Sequence, residues 1–191
     1  SATRAAVHQI GQSDNRNSGA SDVWVSCVGR CLRQGSTTEQ RLETMGIALP
    51  EMPVPLASYK PWVKCGNLIY CSGHIPFQSD MKSLVVGKVG RDLSTQAAAA
   101  IARTIGLELV STLRAAVGNL DRVKRIVKVV GFVNCTDSFT EQPEVINGCS
   151  DLLVAIFGEA RGAHARSAVG TNSLPRQIPV EVELIAEVSE W

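Results

Sequence analysis

From Thr37 onward the apolar positions fall into regular runs, and the period of each run predicts an element. Thr37 and Thr38 stand ahead of Glu39, Arg41, Leu42 and Met45, which predicts a short helix stopped at Gly46. Pro50, Pro53 and Pro55 keep the following stretch extended. Asn67 to Ser72 predicts a strand, closed by Gly73. Leu84-Val85-Val86 and Lys88-Val89, on either side of Gly87, predict a second short strand or hairpin arm. The longest run follows. Ala98, Ile101, Ile105, Leu109, Thr112 and Ala116 recur at helical spacing, with Ser94 as a good N-cap and Gly118 as a good stop. Arg125 to Val133 is rich in β-branched residues and predicts a strand. A second long helix is predicted over Pro143 to Phe157, ended by Gly158. Arg166 to Thr171 and Val180 to Val188 are the last two strands.

That order predicts an α+β single domain, a mixed β-sheet with two helices packed on one face. The central strand adds a constraint. Val127, Val129 and Val133 should point one way, and Ile126, Val130 and Phe132 the other. Two helices cover one sheet face only, so a strand apolar on both faces implies that another chain covers the second. An oligomer is therefore expected. In the last strand Val180, Val182, Leu184, Ala186 and Val188 alternate with Glu181, Glu183, Ile185 and Glu187.

Composition narrows the picture. Of 191 residues, 45% are hydrophobic and 19% charged, an ordinary globular balance. Residues 1–36 stand apart as an N-terminal extension to the domain over 37–191: they are rich in Ser, Gly, Asn and Gln, without sustained period. There Arg4, Arg16, Arg30 and Arg33 outnumber Asp14 and Asp22, the flavour of a mitochondrial targeting segment; a variable or appended leader is the plainer reading. The formal net charge of +1 offers no footprint for nucleic acid, and the cluster Arg122, Lys124, Arg125 and Lys128 is interleaved with valines like a strand flank. No apolar run has the length of a signal peptide or membrane span. The six cysteines (Cys27, Cys31, Cys65, Cys71, Cys135, Cys149) form no C-x-x-C pair and no zinc spacing with His8, His74 or His164. They read as free thiols in a reducing compartment, cytoplasmic or mitochondrial. Nucleotide and metal fingerprints are absent, and no cofactor or metal is expected.

The chemistry-bearing segment is His164-Ala165-Arg166-Ser167-Ala168-Val169-Gly170, then Leu174-Pro175, then Val180-Glu181-Val182-Glu183. Spacing alone reads the glutamates as a solvated strand face and Arg166 as a surface residue. Taken together with Tyr59, the run Gly66-Asn67-Leu68-Ile69-Tyr70-Cys71-Ser72-Gly73-His74-Ile75-Pro76 and Asn147, however, this segment resembles the Rid/YjgF-like family, the reactive-intermediate deaminases also labelled L-PSP endoribonuclease-like. The resemblance covers roughly Leu49 to Val188. Gln142-Pro143, Asn147-Gly148 and Ser150-Asp151-Leu152-Leu153, with the His164–Ser167 segment, resemble a branch longer than the founding members.

The resemblance implies a chorismate-mutase-like fold and a homotrimer with ligand clefts at its subunit interfaces. It implies hydrolysis of 2-imino or 2-enamino acids to 2-oxo acids and ammonia. Arg166 would bind the substrate carboxylate and Glu181 would orient the attacking water. Tyr59, the backbone at Gly73, and Asn147 would line the same pocket. The chemistry is physically reasonable, because an imine carbon is already electrophilic and needs mainly a fixed carboxylate, a placed water and a proton acceptor. Three departures stand out: Ala168 where many members have cysteine, Ser58-Tyr59-Lys60 in place of G-P-Y, and extra residues around Gln142-Pro143. Two other readings remain open: a regulatory trimer that binds small carboxylates without turnover, and RNA cleavage, which the low net charge opposes.

Overall fold

A computed structural model describes residues 37–51, 58–78 and 83–190. The expectations for residues 1–36, and for Pro53 and Pro55, lie outside these. Thr37 caps the first helix, α1 (Thr38–Thr44), with a reciprocal capping box to Gln40. A tight hairpin follows: β1 (Trp62–Cys65) and β2 (Leu68–His74) pair antiparallel around Gly66-Asn67. Then come α2 (Thr95–Val117), β3 (Val123–Asn134), α3 (Gln142–Phe157), the single turn α4 (Glu159–Gly162), β4 (Ala165–Thr171) and β5 (Val180–Val188). The five strands form one mixed sheet in the order β1-β2-β5-β3-β4. All pairs are antiparallel except β3 with β4, which is parallel and leaves β4 as an edge. The fold is the α+β class expected from the element order.

Two expectations are corrected. Strand β1 was not foreseen, although Cys65-Gly66-Asn67-Leu68 carries a two-residue hairpin signal. The segment Leu84 to Val89 is not a strand. It makes only isolated bridges, Phe77 to Leu84 and Val89 to Leu93 and Cys135, because Gly87 and Gly90 both take positive φ and interrupt the extended run.

The central strand differs in a more instructive way. Ile126 pairs with Ala186 and Lys128 with Ile185, so Val127 is an extra residue in a β-bulge. The bulge resets the side-chain parity. Ile126 therefore joins Val129 and Val133 on the buried helix side, rather than facing away from them. Val130 and Phe132 stay on the opposite side, half-buried. That outer face carries an apolar stripe across all five strands: Val63, Tyr70, Ile185, Val130, Phe132 and Val169. Val63, Tyr70 and Val169 are 51%, 39% and 44% exposed, so the single chain leaves this face uncovered.

The core lies between the sheet and the α2–α3 pair. Ser94 caps α2 by accepting from Ala97 N, and Gly118 ends it at φ 78°. The two helices cross closely at Gly148, where an added Cβ would sit 1.9 Å from the carbonyl oxygen of Ala99. Any side chain there forces the helices apart, an overpacking cost of about 1–3 kcal/mol.

One buried group in α2 is left unsatisfied. Glu108 is 1% exposed, and neither carboxylate oxygen makes a hydrogen bond of normal geometry. Burial pushes its pKa up to about 8, with the Phe77 backbone offsetting only part of that. Because the folded value lies above the unfolded one, this stabilisation is complete below the ordinary 4.5 and is lost as pH rises through about 8. We expect unfolding free energy to fall across that window by up to about 1.4 kcal/mol per pH unit from this group. Glu108→Gln keeps the shape and removes the proton, so its denaturation midpoint should be flatter with pH and higher than wild type at the alkaline end. Parallel pH profiles for the two proteins would refute a neutral buried Glu108.

Candidate functional site

Arg166 lies on edge strand β4 opposite Val129, whose side chain faces the helices, so Arg166 projects on the helix side of the sheet. There α3 meets it. Asn147 and Ser150 are three residues apart and share one helix face. Arg166 Nη1 donates to Asn147 Oδ1 at 2.7 Å and to Ser150 Oγ at 3.2 Å. Nε and Nη2 have no acceptor among the described residues. That edge of the guanidinium is the side-on fork that fits both oxygens of a carboxylate. The position of α3 follows from its close approach to α2 at Gly148, the residue beside Asn147.

Ser150 has a further partner, His164, whose Nε2 lies 3.0 Å from Ser150 Oγ. The two residues fall within the branch-specific segments of the sequence, but were assigned no role there. Burial lowers the His164 pKa, and the Arg166 charge adds to that.

Tyr59, Gly73 and Glu181 come together elsewhere. They line a cavity of about 520 Å³ with Ser72, Arg176 and Glu183 among its other walls. Glu181 faces outward from β5, in register with Phe132. A bulge in β2 between Cys71 and His74 carries Gly73 up to it. The bulge is pinned from below. Buried His74 bonds Ser72 O through Nδ1 at 2.8 Å and Thr112 Oγ1 of α2 through Nε2 at 2.7 Å. Ser72 Oγ in turn donates to Lys60 O at 2.7 Å, which ties the Tyr59 segment to β2. A side chain at Gly73 would displace the glutamate, because an added Cβ would fall 1.9 Å from Glu181 Oε1. The glutamate carboxylate thus rests directly on the Gly73 backbone.

Arg166 and Glu181 are not neighbours within one chain. They stand on opposite faces of the sheet with β3 between their strands. One chain holds two half-sites: Arg166 with Asn147 on the helix side, and Tyr59, Gly73 and Glu181 on the outer side.

The thiols do not enter either half. Burial pushes both Cys71 and Cys149 up to about 12, which leaves them protonated at neutral pH. Among the described residues no group of three His, Cys, Asp or Glu side chains is placed to hold a metal ion.

A five-stranded mixed sheet with two helices on one face, a half-free arginine at its edge and a glutamate on a glycine bulge defines a chorismate-mutase-like protein. The chain belongs to the family described as "YjgF/chorismate_mutase-like, putative endoribonuclease", whose model matches residues 39–188. It is 43% identical to Protein TCP17 of Trypanosoma cruzi over 148 residues, 78% of this chain and 92% of that protein. Among solved structures it resembles Atu1372 of Agrobacterium tumefaciens, described as of unknown function, at 39% identity and TM-score 0.71, covering 80% and 94% of the two chains. A Shewanella oneidensis MR-1 protein, which carries the endoribonuclease label, matches at 34% identity and TM-score 0.75, covering 80% of this chain and all of the other.

The cavity generates one direct test. Burial raises the Glu181 pKa above the ordinary glutamate value, and the like charge of Glu183 raises it further. Glu183→Gln should therefore bring the Glu181 titration part of the way down, as followed by carboxyl ¹³C NMR. An unchanged titration would mean that the two carboxylates do not share the cavity.

Proposed function

We propose that this protein hydrolyses small 2-imino and 2-enamino acids to 2-oxo acids and ammonia. The observation that carries the reading is the half-free guanidinium of Arg166: Nη1 is anchored on Asn147 and Ser150, while Nε and Nη2 remain available. An arginine held by neutral acceptors keeps its full charge for a substrate carboxylate. With the carboxylate fixed there, water adds to the C=N carbon and Glu181 takes its proton. Glu181 returns that proton to the nitrogen, giving the carbinolamine; the hydroxyl proton then passes to the nitrogen, the C–N bond breaks, and ammonia leaves as the carbonyl forms. The raised pKa of Glu181 suits a group that must both accept a proton and return it.

The two half-sites call for a second copy of the chain. We place Arg166 of one subunit opposite Glu181, Gly73 and Tyr59 of the next, in a homotrimer with a cleft at each interface. The uncovered apolar stripe on the outer sheet face supports this assembly. Light scattering at micromolar concentration should give the mass of a trimer; a stable monomer would contradict both the covered face and the shared cleft.

Activity is tested by release of the 2-oxo acid from freshly generated 2-iminopropanoate. Arg166→Ala should abolish turnover with the fold intact, and Arg166→Lys should remain poor because a point charge does not replace the fork. Glu181→Gln should lower turnover by about 10²–10⁴-fold while leaving binding of the 2-oxo acid little changed. Glu183→Gln, about 7 Å along the same face, is the control. Binding without turnover in the wild-type protein would favour a carboxylate-binding regulatory trimer.

A further inference from the structure

The hydrogen-bond chain behind Arg166 ends at His164, which has no part in the reaction above. Its direction can be read from one end. His164 Nδ1 lies 2.6 Å from the carbonyl oxygen of Gly162. A carbonyl only accepts, so Nδ1 carries the hydrogen, and in the neutral ring Nε2 is bare. Ser150 Oγ, 3.0 Å from Nε2, must then donate its own hydrogen to it. This leaves the Ser150 lone pairs for Arg166 Nη1 at 3.2 Å. One backbone carbonyl thus orders the sequence from Arg166 through Ser150 to His164.

The arrangement requires a neutral ring, and the surroundings supply it. Burial lowers the His164 pKa and the Arg166 charge does likewise, against a smaller opposing pull from the Gly162 carbonyl. The helix α3 presents neutral Ser150 and the protonated thiol of Cys149 to this corner, and α4 presents the Gly162 carbonyl. Arg166, on β4, is the charged group that acts on the ring among the described residues. A protonated ring would turn Nε2–H towards Ser150 and set two cations on either side of one oxygen.

We propose that His164 is a positioning residue for Arg166: acting through Ser150, it locks the guanidinium in the orientation that meets a substrate carboxylate. The inference rests on the carboxylate-clamp reading of Arg166. Two acceptors on Nη1, at Asn147 and Ser150, fix the plane of the guanidinium. Without His164 the Ser150 hydroxyl is free to turn its hydrogen towards Nη1, where donor faces donor. Asn147 alone then holds Nη1, and the guanidinium can swing about that single bond.

The test compares wild type with His164→Leu, His164→Gln and Arg166→Ala. Pyruvate binding is read by calorimetry, and 2-iminopropanoate turnover by pyruvate release. Loss of one hydrogen bond to a charged group should weaken pyruvate binding and raise KM by about tenfold in His164→Leu. Its kcat should stay within about twofold, because the carboxylate is held equally in ground and transition states. His164→Gln offers an amide oxygen to the Ser150 hydroxyl and should recover most of the affinity. A histidine that only supports the fold would instead lower kcat and melting temperature together, with no rescue by glutamine, and that result would overturn the inference. Nitrogen-15 NMR of the wild-type ring gives a check that no variant can confound: a hydrogen on Nε2 rather than Nδ1 also overturns it. Wild-type binding in His164→Leu alongside lost binding in Arg166→Ala removes the positioning role and leaves the clamp standing. Wild-type binding in Arg166→Ala removes both.

Discussion

The close backbone approach of α2 and α3 at Gly148 governs most of what lies above it. No other residue type fits against the Ala99 carbonyl there. With that contact made, α3 lies low enough over the sheet for Ile146 to cover Gly131 of β3, another position where a side chain would collide. The next residue round the helix, Asn147, and its neighbour one turn on, Ser150, then reach over the edge strand to Arg166. A packing constraint between two glycine-bearing surfaces thus sets the geometry of a polar site some residues away. The same helix pair supports the other half-site, since Thr112 of α2 holds His74 and so the bulge beneath Glu181.

Placing the arginine and the glutamates on opposite faces has an electrostatic consequence. An arginine beside Glu181 and Glu183 in the same chain would form an ion pair and lose much of its availability to a ligand. Here Arg166 is held by neutral Asn147 and Ser150, and the cation–carboxylate pairs among the described residues lie elsewhere, at Arg91–Asp92 and Arg161–Asp121. The carboxylates in turn make no ion pair with Arg176, which lines the same cavity, and burial together with mutual repulsion raises Glu181. Each half-site therefore keeps the property that the proposed cleft between subunits would call on.

Regular elements were readable from sequence where one face is buried and the period is clean. The helices α2 and α3 and the alternating β5 fall in this group, and their caps at Ser94, Gly118 and Gly158 mark their ends. Periodicity failed where backbone irregularity changes the count. The bulge at Val127 moved Ile126 to the helix side, and no alternation rule foresees an extra residue in mid-strand. Leu84 to Val89 has strand-like composition, but positive φ at Gly87 and Gly90 breaks it into isolated bridges. The short β1 hid behind Pro61, though its Gly66-Asn67 turn was visible. For the site, spacing gave only an alternating strand. Arg166, Glu181, Tyr59, Gly73 and Asn147 came from family resemblance. The link from Arg166 through Ser150 to His164 joins segments 14 residues apart across a helix end, a contact that sequence period does not encode.

The family label raises RNA cleavage, and the geometry bears on it physically. A phosphodiester brings one negative charge per nucleotide and needs a run of cations to hold it. The cavity beside Gly73 presents Glu181 and Glu183 with Arg176 as its cation, so it offers near-neutral or negative walls to a polyanion. At the other half-site Arg166 has the two free donors of a single fork, enough for one carboxylate and no more. A compact anion with an electrophilic carbon next to its carboxylate fits both halves. Under the proposed function it would take the fork at one end and set its reacting carbon towards the glutamate at the other, without a chain of further charges to accommodate.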